Sequence, residues 1–68
     1  MTEPRFRFAV THEIDPTHEV IALDVSGVVN RDRVRYGLWH GFPRWSGYEV
    51  RCWQYDANRN LHLLSETI

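Results

Sequence analysis

Sixty-eight residues with one cysteine and a formal net charge of −1 make a single small domain over 1–68 with no internal disulfide. The charge balance also removes the global attraction to nucleic acid or anionic lipid that a basic domain carries. A chain this short buries only about 60% of the surface its unfolded form exposes, so the expected stability is modest.

The start, Met1 to Phe8, alternates charge with phenylalanine and lacks the apolar segment of a signal peptide. The longest aliphatic run, Val20 to Leu23, stops at Asp24 and is too short to span a bilayer. A lone thiol fits a reducing compartment, so the expectation is a cytoplasmic protein with no membrane association.

Residues 5–14 alternate, with Phe6, Phe8, Val10, His12 and Ile14 on one face and Arg5, Arg7, Ala9, Thr11 and Glu13 on the other, the pattern of a half-buried strand. Asp15-Pro16-Thr17-His18 carries turn chemistry and implies a hairpin. The return strand, Glu19 to Val25, is interrupted by Ser26-Gly27 and resumes at Val28-Val29, which predicts a bulge and a bent strand. Asn30-Arg31-Asp32 makes the next turn.

Arg33 to Trp39 reads with a period of two and predicts a third strand. A helix competes there, since Asn30 can serve as N-cap, Val34 and Leu38 stand four apart, and Gly41 can terminate it. Against the helix stands Gly37, which costs about 1 kcal/mol in a helix interior. Two glycines and a proline mark Gly41 to Gly47 as a loop, and Tyr48 to Tyr55 is the next strand. Asp56 to Asn60 forms a turn, Leu61 to Leu64 a short fifth strand, and a polar tail follows.

Five short strands with a bent second one describe an all-β fold, a small five-stranded antiparallel barrel or strongly bent sheet of the SH3-like, Sm-like or OB kind. The alternative is a ββαββ arrangement with a helix near 30–40.

No catalytic or metal constellation stands out. His12, His18, His40, His62 and Cys52 have neither a CxxC nor paired zinc-ligand spacing, so no metal or cofactor is expected. Cys52 falls on the apolar face of its strand as a buried thiol, Ser26 and Ser46 sit in no nucleophile elbow, and so short a chain has little room for a concave pocket. The expectation is therefore a non-catalytic protein.

Arginine and aromatic residues concentrate between 33 and 55, where all three tryptophans and all three tyrosines lie. The two strands there are expected to expose Arg33, Arg35, Trp39, Arg51, Trp53 and Tyr55, with Arg44 and Trp45 on the adjoining loop. Tryptophan, tyrosine and arginine are the common anchors of protein interfaces, and the near-neutral charge favours that use. The expected partner is another protein chain, either a copy of this one or a host or regulatory protein. Single-stranded nucleic acid stacked on the same rings is the alternative.

Overall fold

The computed structural model describes residues 3–65, so the polar tail expected after Leu64 lies largely outside the described residues, as does the beginning of the charged start. The elements run β1 Arg5–His12, β2 Asp15–Ser26, α1 Val28–Gly41, a 3-10 turn Arg44–Ser46, β3 Tyr48–Tyr55 and β4 Leu61–Ser65. The strands form one antiparallel sheet in the order β2-β1-β3-β4, and α1 packs on one of its faces.

This is the ββαββ arrangement, and the barrel is overturned. The segment expected to supply the third barrel strand, Arg33 to Trp39, is helical, which leaves β2 and β4 as open edges. Both β2 and β3 pair antiparallel with β1, so they run parallel to each other, and α1 carries the chain back across β1.

Alternation along β1 sends Phe6, Phe8 and Val10 toward the helix, where they meet Val50 and Cys52 of β3 in the buried core. Ile21, Leu23 and Val25 of β2 close one side of this cluster. Val34, Leu38 and Trp39 of the helix, with Phe42 just beyond it, cover the top. Cys52 is buried, as its place in the alternation implied.

Why the helix wins is visible in its half-buried residues: Arg31, Val34, Arg35, Leu38, Trp39 and Phe42 recur at the three-four spacing of one helical face. Two of them are arginines, whose stems lie on the apolar layer while their heads sit over rings. The Arg31 guanidinium lies 5.1 Å from the Phe6 ring centroid, and that of Arg35 lies 5.8 Å from Trp39. Tyr36, counted with Val34 and Leu38 by the period of two, points to solvent. Pro43 follows the helix and cannot continue it, and the Phe42 N–H closes the last turn on the Leu38 carbonyl at 2.7 Å.

Gly27 does not bulge a continuing strand but ends β2 and starts α1. Its φ of 92° is open to glycine and strained for other residues. The Gly27 N–H donates to the Pro4 carbonyl and its own carbonyl receives the Arg31 N–H, the first bond of the helix. Asn30 lies inside the helix, where its side-chain amide reaches back to the Ser26 carbonyl at 2.9 Å. No side chain caps the helix through a hydrogen bond, and its first turn holds no acid. The Glu3 carboxylate stands in for one, 3.4 Å from where a Cβ on Gly27 would lie, and complements the positive end of the helix dipole.

The first hairpin turns earlier than the proline suggested. His12 pairs directly with Asp15 across a Glu13-Ile14 tip, and Pro16, Thr17 and His18 form an irregularity before Glu19 pairs with Thr11. The expected turn chemistry is expressed there: the Asp15 carboxylate accepts from the Thr17 hydroxyl at 2.7 Å and from the Thr17 N–H at 3.3 Å.

Gly37 faces open space, with no atom within 4 Å of a Cβ built on it. Gly37→Ala is expected to stabilise the protein by up to about 1 kcal/mol, read as a raised denaturant midpoint with an unchanged slope. Glu3→Gln is expected to lower stability by about 0.3–1 kcal/mol in low salt, with the loss shrinking as salt rises.

Candidate functional site

The helix covers one face of the sheet and leaves the other open. On that open face the strand register aligns side chains in transverse rows. Arg5 stands between Ser26 and the Tyr55-Leu61 pair, and its guanidinium lies 5.6 Å from the Tyr55 ring centroid. The next row runs Asp24, Arg7, Trp53, Leu63 across all four strands. Ala22, Ala9 and Arg51 form the third, and Glu19, Thr11 and Glu49 the fourth.

The face therefore grades from charge to hydrocarbon. Carboxylates line β2, arginines stand on β1, aromatic rings on β3, and leucines on β4. Trp53, Tyr55, Leu61 and Leu63 form a contiguous apolar block, in which Leu61 is 43% and Leu63 51% exposed. Two of its three arginines are ion-paired: Arg7 with Glu19 at 3.1 Å, and Arg51 with Glu49 at 2.6 Å. Arg51 also donates to the Thr11 hydroxyl at 3.2 Å, crossing its strand neighbour Ala9. Ala9 and Thr11 beside it are only 1% and 2% exposed, on a face no helix covers. The Tyr55 hydroxyl donates to Asp24 at 3.1 Å, linking β3 to β2 over β1.

The eight residues expected to share one surface are thus divided. Arg51, Trp53 and Tyr55 lie together on the open face. Trp39 lies on the other side, packed on the core with its indole N–H buried and without a partner among the described residues, and Arg35 lies over its ring. Arg33 projects from the exposed side of the helix. Arg44 and Trp45 sit on the 3-10 turn, held by Ser46 N–H to Pro43 and Gly47 N–H to Arg44 bonds, with Trp45 88% exposed. The hairpin that was to unite them does not exist, because its first strand is the helix.

Sequence reasoning missed the contribution of β4 and of Arg5 and Arg7. The alternation of Leu61 and Leu63 across a five-residue turn from Tyr55 and Trp53 was a usable signal, since a tight antiparallel hairpin puts both pairs on one face.

That turn is built on Asp56. Its carboxylate contacts the His62 ring at 2.7 Å and accepts from the Asn58 and Asn60 N–H groups at 2.8 and 2.9 Å. The hydrogen bond from His62, followed by those from Asn60 and Asn58, favours the ionised carboxylate and holds its pKa below the ordinary value of 3.8. Asp15 is lowered likewise, first by the Thr17 hydroxyl.

Both carboxylates favour the folded state when ionised, so their contribution is complete above the ordinary value of 3.8 and disappears as pH falls through the lower folded values. Melting temperature should therefore drop with acidification below about pH 4, and Asp56→Asn should flatten that drop, as a pH series of thermal melts would show. Tryptophan substitutions separate packing from surface: Trp39→Ala should cost about 3 kcal/mol, whereas Trp45→Ala should stay within about 0.5 kcal/mol of the parent in denaturant titrations.

Among the described residues no helix is long and apolar enough to cross a membrane. Comparison with protein families, curated proteins and solved structures finds no match, so the reading of this face rests on its own geometry.

Proposed function

We propose that this protein is a non-catalytic binding module that acts by protein-protein contact through the open sheet face, with a second copy of itself as the partner the face fits best. The carrying observation is the uncovered block of Trp53, Tyr55, Leu61 and Leu63 beside paired charges. An aromatic anchor with a leucine flank and a rim of arginine and carboxylate is the make-up of an interface core and its surround.

Charge arrangement favours protein over nucleic acid. A phosphate backbone needs cations free to replace its counterions, and Arg7 and Arg51 are occupied by carboxylates while Asp24 and Glu19 add negative charge along β2. A face carrying both signs on adjacent strands is also suited to a two-fold axis, where the arginines of one copy meet the carboxylates of the other. Association would add burial to a domain whose own core is small.

Light scattering across a dilution series tests this. The expected result is a concentration-dependent dimer that Trp53→Ala weakens by about 2 kcal/mol, roughly thirtyfold in dissociation constant, while circular dichroism stays that of the folded chain. A mass of one chain at every concentration, or a Trp53→Ala variant that unfolds, would remove the self-association reading. Capture of a different protein that Trp53→Ala abolishes would assign the face to that partner.

A further inference from the structure

The near-neutral charge of the chain conceals a separation of sign. Residues 28–47, which form α1 and the 3-10 turn, hold four of the eight arginines but only one of the nine carboxylates, Asp32. That carboxylate is taken by its neighbour Arg31 at 3.1 Å. Glu19, Asp24 and Glu49 stand on the open face, so the sheet lies between them and the outer side of the helix. Glu3 borders the helix start against Gly27, and Glu13 borders the turn, where its N–H donates to the Gly47 carbonyl at 2.7 Å.

Two cations on this side are free. Arg33 and Arg44 are exposed, and neither side chain makes a hydrogen bond, ion pair or ring contact among the described residues. Arg7 and Arg51 on the open face, by contrast, are held by carboxylates. Aromatic rings stand among the free charges. Val29, Arg33, Tyr36 and His40 follow the three-four spacing along the outermost line of the helix, opposite the face packed on the core. Tyr36 is 66% exposed, and its ring lies 4.3 Å from that of His40 between centroids, so the two form one platform. Trp45, more exposed still, follows Arg44 on a turn whose backbone is pinned by the Ser46, Gly47 and Glu13 N–H bonds.

We infer that the outer side of α1 and the 3-10 turn binds single-stranded nucleic acid. Free guanidinium groups replace the counterions of backbone phosphates, and exposed rings accept unpaired bases without reading their sequence. A duplex hides the base faces, so Tyr36 and Trp45 favour a single strand. An anionic membrane would meet the arginines too, but a helix lies on lipid through its apolar face, and that of α1 is committed to the core. The site is across the sheet from the proposed dimer face and shares no residue with it.

Fluorescence anisotropy of labelled oligo(U) and oligo(dT), titrated with the whole chain, tests this. Both should bind, and more tightly than a duplex of the same length. Two phosphate contacts predict a slope of about −1.4 in log affinity against log salt, roughly sevenfold between about 50 and 200 mM. Arg33→Gln and Arg44→Gln should each halve that slope, whereas Trp45→Ala should weaken binding by about fivefold or more and leave the slope unchanged. Arg59→Gln, which removes an exposed arginine from the β3-β4 turn, should bind as the parent does. Absence of binding at millimolar protein in low salt, equal affinity for duplex and single strand, or equal loss in Arg59→Gln would overturn the site. Binding to phosphatidylserine vesicles in salt that abolishes oligonucleotide binding would overturn it as well and assign the helix to lipid. The mass of the protein without oligonucleotide reads the dimer separately, so either proposal can fail while the other stands.

Discussion

Every layer of this protein depends on the two-sided pairing of β1. This strand is bonded on one edge to β2, its neighbour in sequence, and on the other to β3, some forty residues away by the Ala9-Arg51 register. Its alternation decides both faces at once. Phe6, Phe8 and Val10 give the helix something to cover, while Arg7, Ala9 and Thr11 form the floor of the open face. A slip of one residue in this register would exchange the two sets and put arginine under the helix.

The division of the arginine and aromatic residues follows from that pairing. With β3 placed beside β1, Val50 and Cys52 must enter the core, which turns Arg51, Trp53 and Tyr55 away from it. Trp39 arrives from the helix and can reach only the core side. Composition grouped these residues, but the sheet separates them, and only the β3 set meets the leucines of β4.

The strands were legible wherever alternation was strict and one face was mainly apolar, as in residues 5–12 and 48–55. Helix α1 was obscured because its buried stripe contains Arg31 and Arg35, whose burial is by stem and not by charge, and because Val34, Tyr36 and Leu38 also satisfy a period of two. Gly37 argued for strand, yet it lies on the solvent side, where its cost is bearable once Val34, Leu38 and Trp39 are packed. The first hairpin was placed late because Asp15-Pro16 is a strong turn signal that the fold uses beside the hairpin tip. The carboxylate and arginine pairs across β1 could not be read at all, since they require the register.

The crossover from β2 through α1 to β3 also sets the order in which a ribosome can deliver the core. Residues 5–26 can pair as a hairpin as soon as they emerge, but Phe6, Phe8 and Val10 then face water on one side. The helix that roofs them comes next, and Val50 and Cys52, which complete the cluster, come only near the end of the described chain. The phenylalanine face is therefore bare until α1 is released and incompletely packed until β3 follows, and exposure to misassociation is concentrated in that interval.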